Sequence, residues 1–109
     1  VLASLPRFVA INSAVEVDLT GQVNAEVAKG SYLGAVGGAL DFVRAASQSP
    51  GGVSLLLVPA ARVVATLSGP VSTPRSEAGV IVTEHGAADL RGCTLRERSR
   101  RLAAISSMV

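Results

Sequence analysis

"VSLLLV" spans Val53–Val58 and "VIVT" spans Val80–Thr83. Each is a short, continuous apolar run with no polar alternation. A strand with one wet face alternates apolar and polar residues, so these runs read as strands buried on both faces, as in a parallel sheet. Upstream of the first run, "ALDFVRAAS" (Ala39–Ser47) sets Leu40, Phe42, Val43 and Ala46 at helical spacing, and "SPGG" (Ser49–Gly52) ends that helix. Further upstream, "FVAINSAVEVDL" (Phe8–Leu19) shows period-two apolar character at Val15, Val17 and Leu19 and reads as one strand. A turn at Thr20–Gly21 then returns the chain through "QVNAEV" as a hairpin. Arg62–Leu67 is a further strand candidate, followed by the two-proline loop "SGPVSTPRSEAG". After "VIVT", Ala87–Leu90 reads as one helical turn stopped at Gly92. Thr94, with Glu97 three residues on, is a capping box that opens a last helix, with Leu95, Leu102, Ile105 and Val109 as its apolar stripe. Strands alternating with helices predict an α/β fold around an open, largely parallel or mixed sheet with flanking helices.

Bulk composition narrows the class. The 109 residues (1–109) are enough for a single domain, with 49% hydrophobic and 17% charged residues, so the chain is globular rather than disordered. The apolar content is mostly Val, Ala and Leu; with 3% aromatic residues there is little to build a base-stacking surface. A net charge of +2 implies no strong polyanion partner. The single cysteine, Cys93, excludes an internal disulfide and fits a reducing compartment, hence a cytoplasmic protein. No apolar run reaches the length of a membrane span, and the first residues lack a signal-peptide pattern. We expect neither a membrane nor a nucleic-acid partner. The first residue is not Met and "ISSMV" stops in mid-pattern, so the chain is expected to be a piece of something larger.

In open α/β sheets, ligands sit beyond the carboxyl ends of the strands. Two features fall there. "GSYLGAVGG" (Gly30–Gly38) clusters four glycines before the predicted helix, which lets backbone N–H groups face an anion or an oxyanion at a helix start. The spacing fits neither a P-loop nor a dinucleotide fingerprint, and a tight loop allowing close helix–sheet packing explains it as well. "VTEHG" (Val82–Gly86) puts Glu84 and His85 at a strand end, where one of them could serve as a general acid or base, or both could simply be solvated. In extended backbone the two would face opposite ways. Glu16 and Asp18 share one strand face, the pattern of the wet side of a hairpin and, less commonly, of acid–base or metal chemistry. Arg91, Arg96, Arg98, Arg100 and Arg101 fall in one short C-terminal stretch, and those on the last helix could hold phosphates or cover a solvated face. Cys93 beside Gly92 has only the lone His85 as a possible basic partner, and no zinc spacing exists.

The order of the motifs adds a resemblance. "AINSAVEVDLTGQVNAE", "GAVGGALDFVRAASQSPGG" and "VSTPRSEAGVIVTEHGAADLRGCTLRERSRRLAAI" occur in sequence from about Phe8 to Ile105. Together they closely resemble the C-terminal domain of the acetyl-CoA hydrolase/transferase family, which includes 4-hydroxybutyrate, acetate and succinate CoA-transferases. The resemblance implies a CoA-transferase-type α/β domain that meets a related N-terminal domain at the active site, in an enzyme that is commonly a homo-oligomer. It implies CoA transfer from an acyl-CoA to a carboxylate, through an acyl anhydride and a glutamyl-CoA thioester, with coenzyme A as substrate and no metal or other cofactor. Gly38, beside Gly37, would present its backbone N–H at the thioester, and Glu84 would line and support the site.

The departures from the family pattern are specific. The nucleophilic glutamate belongs to a His-Thr-Glu-type segment, and nothing in this sequence matches it. Ala39 stands where the family usually has Gln, "VPAARVVATL" is several residues shorter than the family's loop, and "SSMV" replaces the closing Ala-His-Pro segment. The expectation is a C-terminal portion of a CoA-transferase or acyl-CoA hydrolase that is inactive alone. The competing expectation is a non-catalytic binding or assembly module that keeps the fold.

Overall fold

The computed structural model describes residues 9–24, 27–28, 31–32, 51–72 and 79–107. The glycine-loop residues Gly37 and Gly38, the helix expected over Ala39–Ser47 and Val109 lie outside the described residues.

Both apolar runs are strands, and they are neighbours. Strands β1 (Val9–Ser13), β6 (Val53–Leu57), β8 (Val80–Thr83) and β9 (Gly86–Asp89) form a four-stranded sheet in the order β1-β6-β8-β9. β1, β6 and β8 run parallel, with Ile11 beside Leu55 and Leu56 beside Ile81; β9 returns antiparallel to β8, with Ile81 beside Ala88. A second sheet orders β3-β2-β7, where β2 is Glu16–Asp18, β3 is Val23–Asn24 and β7 is Val63–Val64. Here β2 pairs antiparallel with β3 and parallel with β7. Strands β4 (Val27–Ala28) and β5 (Ser31–Tyr32) form a small antiparallel pair, so the start of the glycine-rich stretch is strand. Helix α1 spans Leu95–Ala104. The architecture is the expected α/β fold on mixed sheets.

The core joins both sheets to the helix. Val17, Val23 and Val63 from the second sheet meet Leu56, Ile81 and Ala88 from the first and Leu102 and Ile105 from the helix end, in one buried cluster. Each large member contributes roughly 1.5–3 kcal/mol by leaving water. Gly79 is required by a close approach: a Cβ there would stand 2.9 Å from the backbone oxygen of Ser54.

Four expectations are corrected. The single strand over Phe8–Leu19 is two strands in two sheets. The Ala14 N–H still extends the first ladder, donating to Leu57, but the Val15 N–H donates to Asn24 of the second sheet. Both halves are extended, so periodicity cannot register the hand-over. The run at Val53–Val58 is buried on one face only: Ser54 and Leu56 are covered, whereas Leu57, with Val9 and Ile11 on the same side, is 42%, 46% and 62% exposed, respectively. The strand expected over Arg62–Leu67 shrinks to Val63–Val64 behind a 3₁₀ turn at Ala60–Arg62. Ala87–Leu90 is not helical; it lies in and just beyond strand β9, because pairing with the central strand β8 outweighs the modest helix preference of two alanines. With no helical turn there is nothing for Gly92 to stop; it takes φ 71° in the turn that follows β9.

Helix α1 starts as expected. Thr94 Oγ1 accepts from the Glu97 N–H at 3.2 Å, and Glu97 Oε1 accepts from the Thr94 N–H at 3.0 Å. Leu102 and Ile105 are buried, but Leu95, at the first helical position, is 52% exposed because it projects beyond the core.

Candidate active site at the carboxyl ends of the parallel strands

The carboxyl ends of β1, β6 and β8 open together into one pocket. It is a broad cleft of about 400 Å³, lined by Ser13 and Ala14 after β1, Leu57, Val58 and Pro59 after β6, and Val82, Thr83 and Glu84 of β8 and its turn. This is where the parallel-sheet rule places a ligand. The Val58 N–H donates to the Val82 carbonyl at 3.0 Å, so the two strand ends that form the floor are stitched together up to the last residue.

Glu84 stands at the rim. Thr83 and Gly86 pair across the hairpin, leaving Glu84 and His85 as its two-residue connection. Gly86 completes the turn at φ 144°, a region that side-chain-bearing residues rarely adopt. Glu84 is exposed, yet its carboxylate is not loose: Oε1 accepts from the Ala60 N–H at 2.7 Å. Hydrogen bonds from its own backbone N–H and from Ala60 hold the carboxyl below the usual range, with the neighbouring His85 adding to the effect. Glu84 is therefore a fixed anion at near-neutral pH. Ala60 engages only one of the several acceptor positions that a carboxylate offers.

The opposed orientation expected for Glu84 and His85 does not apply, because both sit in the turn and not in extended strand. His85 is exposed, and its backbone N–H donates to Thr83 Oγ1 at 3.0 Å. Gly37 and Gly38 lie outside the described residues, so their relation to Glu84 is not drawn. Among the described residues, no group of three or more His, Cys, Asp or Glu side chains could hold a metal ion.

The other candidates are structural. Glu16 and Asp18 do not form a wet face; both are buried. Glu16 Oε1 accepts from Asn24 Nδ2 at 3.1 Å, from the Ser68 N–H at 2.5 Å and from Ser68 Oγ at 2.9 Å. Burial disfavours its charge, but the hydrogen bonds from Asn24, Ser68 and Gly69 outweigh that and keep its pKa below the ordinary value. Asp18 Oδ1 closes the β2–β3 turn by accepting from the Thr20 N–H, Thr20 Oγ1 and the Gln22 N–H. The arginine helix is partly a docking device. Arg98 Nη1 donates to the Thr20 carbonyl, Ser99 Oγ to that of Leu19, and Arg101 Nη1 to that of Asp89. Arg91 pairs with Asp89 at 2.8 Å, in an exposed position where such pairs contribute little. The Cys93 thiol points at the carbonyls of Asp89 and Arg91, with no histidine among these contacts.

Sequence reasoning did not single out Thr83, Pro59 or Ala60 as part of the site. The only signal for Pro59 and Ala60 was their place just after an apolar run that ends at the carboxyl edge of the sheet.

Comparison with known proteins gives the family. The profile of the acetyl-CoA hydrolase/transferase C-terminal domain matches residues 1–107. The chain is similar to a 4-hydroxybutyrate coenzyme A transferase of Clostridium kluyveri, at 39% identity over 92% of this chain and 25% of that protein. It is also similar to an acetyl-CoA hydrolase of Kluyveromyces lactis, at 34% identity over 86% of this chain and 19% of that protein. The solved structure of a 4-hydroxybutyrate CoA-transferase from Porphyromonas gingivalis superposes with a TM-score of 0.76, at 37% identity, covering 96% of this chain and 24% of that one. The chain thus spans about a quarter or less of the length of these relatives. By the match along nearly its whole length, the chain belongs to the acetyl-CoA hydrolase/transferase family and corresponds to its C-terminal domain.

Proposed function

We propose that this domain serves an enzyme that moves CoA between an acyl-CoA and a carboxylate of the acetate, succinate or 4-hydroxybutyrate type. The covalent work belongs to a glutamate outside these 109 residues, supplied by an N-terminal CoA-transferase domain. The observation that carries the reading is the Glu84 carboxylate, fixed by the Ala60 N–H at the mouth of a pocket formed by the ends of three parallel strands. A fixed, ionised carboxylate there orients donor groups of the substrate or of the facing domain, and its negative charge is already in place before a substrate arrives. The resemblance assigns Gly37 and Gly38 the complementary task of offering backbone N–H groups to the thioester oxygen. The reading requires coenzyme A as substrate and no other cofactor.

The compartment this reading favours is the cytoplasm. Among the described residues, no helix is long and apolar enough to cross a membrane.

The test uses the full-length parent and the isolated 109-residue chain side by side. CoA transfer from acetyl-CoA to succinate or 4-hydroxybutyrate is expected from the parent, strongly reduced in its Glu84→Gln variant and absent from the isolated chain. Turnover by the isolated chain would show that the nucleophile lies within it. A parent without turnover that still folds and self-associates would favour a binding or assembly module.

A further inference from the structure

An exposed turn has little packing of its own to hold it, so the fixed position of Glu84 must come from elsewhere. Two hydrogen-bonded routes lead from it to one place, the segment just after α1. The first runs through Ala60. Its N–H donates to Glu84 Oε1 at 2.7 Å, and its carbonyl accepts from the Ser107 N–H at 3.2 Å. The second runs through Thr83. Its Oγ1 donates to the Ile105 carbonyl at 2.7 Å and accepts from the His85 N–H at 3.0 Å.

The chemistry of the second route is exacting. The Thr83 side chain is buried, so a hydroxyl that lost either partner there would stay unsatisfied. Donating one bond and accepting another fixes the hydroxyl rotor. The Ile105 carbonyl lies at the helix C-terminus, where carbonyls lack intrahelical partners, and Thr83 supplies one. Gly86, on the far side of the turn, passes close to the same residue: a Cβ there would meet Ile105 Cγ2 at 3.6 Å. Thr83 and Ala60 thus hold the turn and the carboxylate from both sides, and each is tied to the Ile105–Ser107 backbone.

We infer that Thr83, together with the Ile105–Ser107 backbone, is the positioning support for the Glu84 carboxylate, so that the end of α1 sets the geometry of the active-site rim. The inference rests on the reading of Glu84 as an active-site residue. The Thr83 hydroxyl is engaged by the Ile105 carbonyl and the His85 N–H, so its role runs through Glu84.

The test measures kcat, KM for the acyl-CoA and thermal melting in the full-length parent. The variants are Thr83→Val, Thr83→Ser, Ser107→Pro, Glu84→Gln and the double variant Thr83→Val with Glu84→Gln. Thr83→Val removes the hydroxyl at constant shape and is expected to lower kcat about tenfold with KM within about twofold, the mark of a misplaced group. Thr83→Ser keeps the hydroxyl and restores most of the loss. Ser107→Pro removes one of the two donors to the Ala60 carbonyl, leaving that of Val63, at an exposed site and is expected to lower kcat about twofold to threefold. Thr83→Val is expected to add nothing to Glu84→Gln, because the two act as one unit. The inference is overturned if Thr83→Val has full kcat while Glu84→Gln is impaired, if their losses multiply, or if Thr83→Val only melts earlier while Ser107→Pro keeps full kcat. Full activity of Glu84→Gln would overturn the reading of Glu84 itself, and this inference with it.

Discussion

Glu16 and Glu84 are the same residue type at opposite kinds of address. Glu16, on β2, is buried against Asn24 and the loop at Ser68, and its carboxylate is spent on donors of Asn24, Ser68 and Gly69. Glu84 is exposed at the mouth of a cleft, held by the Ala60 N–H and its own backbone. Both are kept ionised by hydrogen bonds, so a depressed pKa does not separate a carboxylate enclosed by the fold from one that faces a cleft. What separates them is where the remaining acceptor capacity points. For Glu16 the surroundings are protein; for Glu84 they are the pocket.

The contrast is sharpest in stability. Glu16→Ala would take an acceptor away from the buried Asn24 amide and from Ser68 and is expected to lower the unfolding free energy by about 2–3 kcal/mol. Urea titration should show this as a lower midpoint at unchanged slope. An unmoved midpoint would mean that the buried carboxylate is dispensable and would collapse the comparison.

The second prediction concerns acid. Glu16 has a folded pKa below the ordinary 4.5, so the unfolded chain takes up the proton first. The stability it contributes is fully present above 4.5 and is lost as pH falls through the lower folded value. Urea midpoints followed downward from neutral pH should therefore fall less in Glu16→Gln than in wild type. A variant that loses as much as wild type would assign the acid sensitivity to other carboxylates.

Glu97 tests whether partial exposure alone marks function. It closes the capping box with Thr94, and Thr94→Ala is expected to cost about 1 kcal/mol, read as a lower melting temperature. The smallest effect on stability is expected from Glu84→Gln, whose amide oxygen still accepts from the Ala60 N–H, so its urea midpoint should stay at the wild-type value while CoA transfer by the parent falls. A large drop in midpoint would class Glu84 with Glu16.

The apolar runs at Val53–Val58 and Val80–Thr83 marked two strands that do pair in parallel, although only one face of the first is covered. The Thr94–Glu97 pair marked the start of α1 because capping is a local matter of one side chain and the next turn of backbone. "VTEHG" at a strand end drew attention to Glu84 by the same sheet logic. The errors share one cause. Helical residues expected at Ala87–Leu90 became strand because β8 offered an edge. Glu16 and Asp18 looked solvated because a period-two pattern assumes one wet face, whereas here the second sheet is covered on both sides.

The sequence by itself determined the family, the two apolar strands of the parallel sheet, and the helix cap. All of these depend on residue order and on interactions a few positions apart. Only the tertiary structure decided the rest: that Val9–Ser13 and Glu16–Asp18 lie in two different sheets, that Glu16 is pinned by Ser68 across 52 positions, and that Glu84 is held by Ala60 across 24. A hydrogen bond between distant positions leaves no periodicity to read. It exists only once the core has brought the two segments within 3 Å of each other, and that is what turns an ordinary loop carboxylate into a fixed charge at the edge of a site.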